Sequence, residues 1–325
     1  MKAPDLTILG CEEIQRMVGI ADVLEPVRQC LAAYSAGEAR ASQIGLLALP
    51  AHGEAHIKSG FLGDRPYFVT KIATMCPANR ATGRHTSDGI VAVFDAQTGY
   101  PVAVLHDRKY LTDIRTAAVG AIAAEYLSRR DSGVLGVLGT GGLAFLQTVA
   151  VTLVRPITEV VLYGRDKART QDLARRIRAE LPSLRVRCAG SAEQVTKEAD
   201  ILVTATAATE PMIKGEWLHP GLHITATGAD DENKRELDFD SLERADLRFV
   251  DSRELCGRYG ELAAYAREKG APLPIDGELG LLISGKIQGR SLPTQITLSK
   301  HVGIGVEDVA AAEAVMKMVA LLQRG

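Results

Sequence analysis

The residues with the clearest chemical spacing are Gly139-Thr140-Gly141-Gly142-Leu143-Ala144, which close the apolar run Val134-Leu135-Gly136-Val137-Leu138 and open a helical pattern. A strand, a tight glycine turn and a helix start in that order form a dinucleotide-binding unit. Gly139 permits the turn, Gly141 lets a pyrophosphate approach the backbone, and Ala144 is small enough for helix and strand to pack closely. The first amides of the helix then offer hydrogen-bond donors and a positive dipole end to the phosphates. Taken alone, the same pattern also fits an ordinary glycine-containing strand-to-helix turn.

The next strand ends in Tyr163-Gly164-Arg165-Asp166. A carboxylate at this position would accept hydrogen bonds from the adenosine ribose and favour NAD. Gly164 and Arg165 stand there instead, and a guanidinium can pair with a ribose 2′-phosphate. The sequence therefore favours NADP(H) over NAD(H), although Asp166 is close enough to reach a ribose hydroxyl.

The elements that must position these groups fall into two sets. Residues 44–49, 56–61, 67–73, 89–95 and 101–106 are rich in strand formers and are separated by turn residues. They follow an amphipathic helix over 20–37 and precede a helix over 112–127 capped by Thr112 or Asp113. Beyond Asp131 strands alternate with helices, at 134–138, 159–163, 185–188, 201–206, 222–227 and 247–250, as in a doubly wound parallel sheet. A last apolar-rich helix covers 306–322. The expected architecture is α/β: a Rossmann-type domain over 129–303, and an α+β substrate and dimerisation domain formed by 1–128 with 304–325.

The 325 residues carry a net charge of −2 with 46% hydrophobic and 24% charged residues. That composition is of an ordinary globular protein and gives no electrostatic reason to expect nucleic acid or an anionic membrane. The start shows no signal-peptide pattern, and no run is long enough for a membrane span. Five scattered cysteines without CxxC spacing fit a reducing cytoplasm and no zinc knuckle. The histidine spacings support no metal site.

Three further stretches carry a resemblance: Phe94-Asp95-Ala96-Gln97-Thr98-Gly99-Tyr100-Pro101, Tyr110-Leu111-Thr112-Asp113-Ile114-Arg115-Thr116-Ala117-Ala118, and Gly228-Ala229-Asp230-Asp231-Glu232-Asn233-Lys234-Arg235-Glu236-Leu237. With the glycine turn, they make the chain from about residue 44 to 322 resemble the ornithine cyclodeaminase/mu-crystallin family. The resemblance implies a homodimer joined through the first domain, and hydride transfer between nicotinamide and the Cα that bears nitrogen. It also implies a small amino, imino or keto acid as substrate. By position, Lys71 and Arg115 match the cations that hold the substrate carboxylate, and Asp230 matches the acid/base of the cyclodeaminases. Thr86, Arg115, Gly139, Thr140, Gly141, Gly142, Leu143, Gly164, Arg165, Thr206, Thr227, Gly228, Ala229, Lys234 and His301 match cofactor-contacting positions. Arg40, His301 and Val302 complete the expected substrate site.

Departures from the family pattern bear on the substrate. His301 replaces a small hydroxyl residue, and could donate a proton to an imine or narrow the pocket. The family arginine before the first strands is not cleanly matched: Arg40 is nearest, and Gln43 stands close by. The favoured expectation is an imine reductase or amino-acid dehydrogenase. The alternatives are an ornithine or lysine cyclodeaminase using NAD catalytically, and an NADPH-dependent binding protein of mu-crystallin type.

Overall fold

The structure, a computed structural model, describes residues 5–63 and 65–323. The chain divides into two compact units, Met1–Arg115 with Ile304–Gly325 and Thr116–Gly303. The first division falls inside the helix Tyr110–Leu127, upstream of the 128/129 break expected from sequence.

The first unit is built on a seven-stranded sheet. Its strands are β1 (Thr7–Gly10), β2 (Ala39–Ala41), β3 (Gly45–Leu49), β4 (Gly53–Leu62), β5 (Tyr67–Met75), β6 (Ser87–Asp95) and β7 (Pro101–His106). They run in the order β1-β7-β6-β5-β4-β2, with β3 also paired to β4. All pairs are antiparallel except β1 with β7, an edge strand that the sequence reading did not include. The helix expected at 20–37 spans Ile20–Ser35.

Alternation along these strands separates two faces. On β4 the positions Lys58, Gly60 and Leu62 are buried, while Ile57, Ser59 and Phe61 are half-buried. Gly60 lies against the start of the C-terminal helix Gly305–Leu322: a Cβ there would sit 2.4 Å from the Gly305 carbonyl oxygen. The other face carries Phe61, Phe68 and Phe94, the last two stacked with ring centroids 4.8 Å apart, and Ile72, which is 37% exposed.

The second unit holds an eight-stranded sheet, all parallel. Its strands are β8 (Val134–Leu138), β9 (Glu159–Tyr163), β10 (Arg185–Cys188), β11 (Ile201–Thr204), β12 (His223–Ala226), β13 (Leu247–Val250), β14 (Gly277–Glu278) and β15 (Thr297–Lys300). The order β10-β9-β8-β11-β12-β15-β13-β14 reverses direction between β8 and β11, the switch point at which open parallel sheets bind ligands. Leu135, Val137, Val160, Leu162, Ile201 and Val203 line one buried face, and Leu138, Val161 and Leu202 are buried on the other, which is why these strands read as unbroken apolar runs. Among the described residues no helix is long and apolar enough to cross a membrane.

Candidate active site

In the second unit the predicted cofactor residues collect at the carboxyl ends of the parallel strands. Gly139 leaves β8 at φ +123°, and a Cβ there would lie 2.4 Å from the Ala205 carbonyl oxygen. Only glycine fits that turn. Gly141 and Gly142 differ: a Cβ on either would meet nothing within 4 Å. They open the helix Gly142–Thr152, and Ala144 is fully buried beneath them. Open space over a helix N-terminus is the shape that a pyrophosphate needs.

After β9, Gly164 makes room for Thr140, whose Cγ2 would be 2.4 Å from a Cβ on this residue. Asp166 caps the helix Lys167–Glu180, accepting from the backbone N–H of Ala168 at 2.9 Å and of Arg169 at 3.1 Å. Arg165 is exposed and makes no ion pair among the described residues.

After β11 and β12, Glu236 organises the backbone. It is fully buried and accepts from Thr204 Oγ1 (2.6 Å), Thr206 N (2.7 Å), Thr206 Oγ1 (2.8 Å) and Gly228 N (2.8 Å). Its own N–H donates to Glu261, whose carboxylate pairs with Lys300 at 3.0 Å. Lys300 Nζ also donates to the Ala229 carbonyl oxygen. Burial and the neighbouring Glu261 push the Glu236 carboxyl up, with Lys300 opposing. Burial disfavours the Lys300 ammonium, but Glu261 and Glu236 overcome this and raise it. Thr227 Oγ1 donates to the Thr204 carbonyl at 2.9 Å, tying the two strand ends again.

Asp230 follows β12, its side chain 44% exposed, with Lys234 Nζ 2.7 Å from one of its oxygens and 3.0 Å from Asp231. Lys234 is thus engaged by two carboxylates, which raise its affinity for the proton against the cost of burial. His301 follows β15 and is buried. Its Nε2 bonds Ser299 Oγ, and its Nδ1 has no hydrogen-bond partner among the described residues. Burial lowers its pKa to about 4, so the ring is neutral at neutral pH and is not a cationic proton donor. Asp251 shapes the loop after β15 by accepting from the N–H of Val302 at 2.8 Å and of Gly303 at 2.6 Å.

In the first unit Lys71 and Arg115, 44 positions apart by number (115 − 71), meet one carboxylate. Lys71 Nζ donates to Asp308 Oδ1 at 2.8 Å, and Arg115 Nε donates to the same oxygen at 3.0 Å. Arg115 Nη1 also donates to Glu307. All four side chains are at most 4% exposed. Burial, with Arg115 and Lys58 nearby, lowers Lys71 to about 7 although Asp308 opposes the shift. Burial alone would raise Asp308, but Lys71 and Arg115 overcome it and hold the carboxyl below its ordinary range. The helix bearing Arg115 is capped by neither Thr112 nor Asp113: Asp107 Oδ2 accepts from Leu111 N at 2.8 Å, while Asp113 pairs with Lys109. Burial brings Asp107 up to about 6.

Arg40 does not join this cluster. It lies opposite Phe61 on β2, and Lys71 lies opposite Lys58, so alternation places Arg40 on the other face of the sheet. There it lines a hollow of about 370 Å³ with Ser59, Phe61 and Phe68. Gln43 is exposed between β2 and β3. Thr86 precedes β6, and its carbonyl accepts from Cys76 N at 2.7 Å. Sequence reasoning missed Glu307, Asp308, Glu261 and Asp251 as organising groups, and quoted Glu236 only as part of a motif.

The sequence pattern of the Ornithine cyclodeaminase/mu-crystallin family matches residues 5–320. A Delta(1)-pyrroline-2-carboxylate reductase of Bacillus cereus is 36% identical over 75% of this chain and 74% of its own. The ketimine reductase mu-crystallin of Mus musculus is 34% identical over 79% of this chain and 80% of its own. The structure of Thermococcus litoralis Delta(1)-pyrroline-2-carboxylate reductase, in complex with NADH and L-proline, superposes with a TM-score of 0.92 at 26% identity, covering 98% of each chain.

Proposed function

We propose, since this chain belongs to the ornithine cyclodeaminase/mu-crystallin family, that it reduces a small ketimine acid using NADPH. It is an NAD(P)-dependent oxidoreductase acting at the carbon–nitrogen bond of a small amino or imino acid. The observation carrying the substrate assignment is the buried pair of cations, Lys71 and Arg115, set on a single carboxylate. Arg115 has further N–H groups in its planar fork, suited to a substrate carboxylate.

The open turn at Gly141 and Gly142 fits a dinucleotide pyrophosphate, and Arg165 fits a 2′-phosphate. A bound reduced nicotinamide supplies hydride to the imine carbon. Lys71 and Arg115 hold the carboxylate and so fix which carbon is presented. Asp230 moves the proton at the substrate nitrogen, and its partner Lys234 keeps that carboxyl oriented. Glu236 and Lys300 hold the Thr206, Gly228 and Ala229 backbone in place at the nicotinamide end. Neutral His301 narrows the substrate end and offers a hydrogen bond at Nδ1.

The half-exposed apolar sheet face around Phe61, Phe68, Phe94 and Ile72 supports a homodimer. Five free cysteines support a cytoplasmic setting.

The test mixes purified protein with NADPH or NADH and a panel of pyrroline-2-carboxylate, piperideine-2-carboxylate, and pyruvate with methylamine, and runs L-ornithine and L-lysine with NAD in parallel. The expected result is oxidation of NADPH with an imine. Ammonia release from L-ornithine or L-lysine without net change in NAD would instead establish a cyclodeaminase. Tight NADPH binding without turnover on any of these would establish a binding protein.

A further inference from the structure

Three cations line one layer of the first unit. Lys58 and Lys71 face each other across β4 and β5, and Arg115 stands beside them; Lys58 is 8% exposed and the other two 3%. Burying like charges together is costly unless carboxylates enter the layer with good geometry. The carboxylates arrive on the first turn of the C-terminal helix, as Glu307 and Asp308. Two glycines bring that turn in: a Cβ on Gly60 would be 2.4 Å from Gly305 O, and one on Gly305 would be 2.3 Å from Ser59 O. Glu307 accepts from Arg115 and from Ile304 N at 3.2 Å.

Asp308 is placed differently. One oxygen takes both Lys71 and Arg115, and the other is buried with no hydrogen-bond partner among the described residues. A carboxylate used on one oxygen only, by two cations from separate elements, acts as a hinge pin between their side chains. We propose that Asp308 is a positioning residue for the reaction: it joins Lys71 and Arg115 into one anion-binding unit and keeps the Lys71 ammonium charged. The inference rests on the reading that these two cations hold the substrate carboxylate.

The groups facing Lys71 come from every packed element. They are Lys58 on β4, Asp107 ahead of the helix 110–127, Arg115 on it and Asp308 on the C-terminal helix, while Glu307 and the Cys30 thiol on the helix Ile20–Ser35 face Arg115 in the same layer. Burial, Arg115 and Lys58 press Lys71 down to about 7, and Asp308 is the largest influence in the opposite direction. The cationic form exists below the pKa. Removing the Asp308 charge therefore lowers the pKa further and removes the cation at neutral pH.

The experiment compares pH profiles of kcat/KM for the imino acid in the native protein, Asp308→Asn and Asp308→Glu. In Asp308→Asn the alkaline limb moves to lower pH by about one unit or more, and KM rises at least tenfold at neutral pH while kcat changes less. In Asp308→Glu, which keeps the charge, the limb stays where the native protein has it and KM rises through misplacement alone. Affinity for NADPH is unchanged in both. An unmoved limb and native KM in Asp308→Asn overturn the proposal, and so does a shifted limb in Asp308→Glu if Asp308→Asn fails to fold. Lys71→Ala separates the two levels. A native KM there defeats the carboxylate reading itself, whereas a raised KM with a native profile in Asp308→Asn defeats only the role of Asp308.

Discussion

The two units each contain a buried carboxylate that draws distant segments together, but the two carboxylates grip different things. In the first unit Asp308 holds side-chain cations, Lys71 and Arg115. In the second, Glu236 holds backbone N–H groups and threonine hydroxyls at the ends of β11 and β12. The difference matters chemically. A carboxylate shared between cations leaves N–H donors to spare for an anionic substrate. A carboxylate surrounded by backbone donors leaves a fixed surface against which a planar ring and its amide can rest. On the proposed function, the first arrangement selects a charge and the second a shape.

The comparison is most easily broken in the first unit. Arg115→Ala leaves Glu307 and Asp308 buried without this partner, which costs about 3–5 kcal/mol of stability. Thermal unfolding reads that loss, and kcat/KM for the imino acid falls by at least about a hundredfold. Arg115→Lys separates charge from fork: it folds better and still loses about tenfold or more, because a lysine cannot make the two-directional contact. A native kcat/KM in either variant removes Arg115 from the substrate site.

Glu236→Gln is the matching change in the second unit. The amide nitrogen faces the N–H of either Thr206 or Gly228, which bond different oxygens, and leaves that donor unsatisfied at a cost of about 1–3 kcal/mol. NADPH affinity falls, while the pH profile of the substrate site keeps its native limb. Equal effects on both sites would erase the distinction drawn here.

The glycine turn sharpens the same contrast between shape and charge. Gly139→Ala strains a left-handed backbone and collides with Ala205, so both stability and cofactor binding drop. Gly141→Ala meets open space in the protein and leaves unfolding near native, yet weakens the dinucleotide because the added methyl occupies its approach. Calorimetry with and without NADPH distinguishes the two. Arg165→Ala has the smallest structural effect: the side chain is exposed, and about 1.5–3 kcal/mol of affinity is lost for NADPH alone. Loss of NADH affinity by the same amount would contradict the 2′-phosphate assignment.

How much the sequence revealed follows from distance along the chain. The turn Gly139–Ala144, the strand end at Arg165 and the parallel strands were legible because each depends on neighbours within a few residues. Helix and strand limits shifted by only a few positions, as at the helix expected over 20–37, which stops at Ser35, whereas the short helix Cys11–Met17 ahead of it was not foreseen. Asp308 was not legible as a site residue: its role depends on a contact with Lys71 across 237 positions. Glu261 and Lys300 were hidden for the same reason, since only the folded sheet brings them to Glu236 and Ala229. Arg40 shows a different limit. It is near Lys71 in the sheet, yet the two-residue period puts it on the other face, and the strand register decides that rather than residue type.

The most direct test of the account follows the hydrogen. Pyrroline-2-carboxylate is incubated with the protein and NADPH carrying deuterium at both C4 positions of the nicotinamide, and the product is examined by mass spectrometry and NMR. The account predicts proline carrying one deuterium at Cα, formed in step with the oxidation of NADPH. Unlabelled proline, or no proline from the imine while a parallel incubation with L-ornithine and NAD releases ammonia, would contradict it.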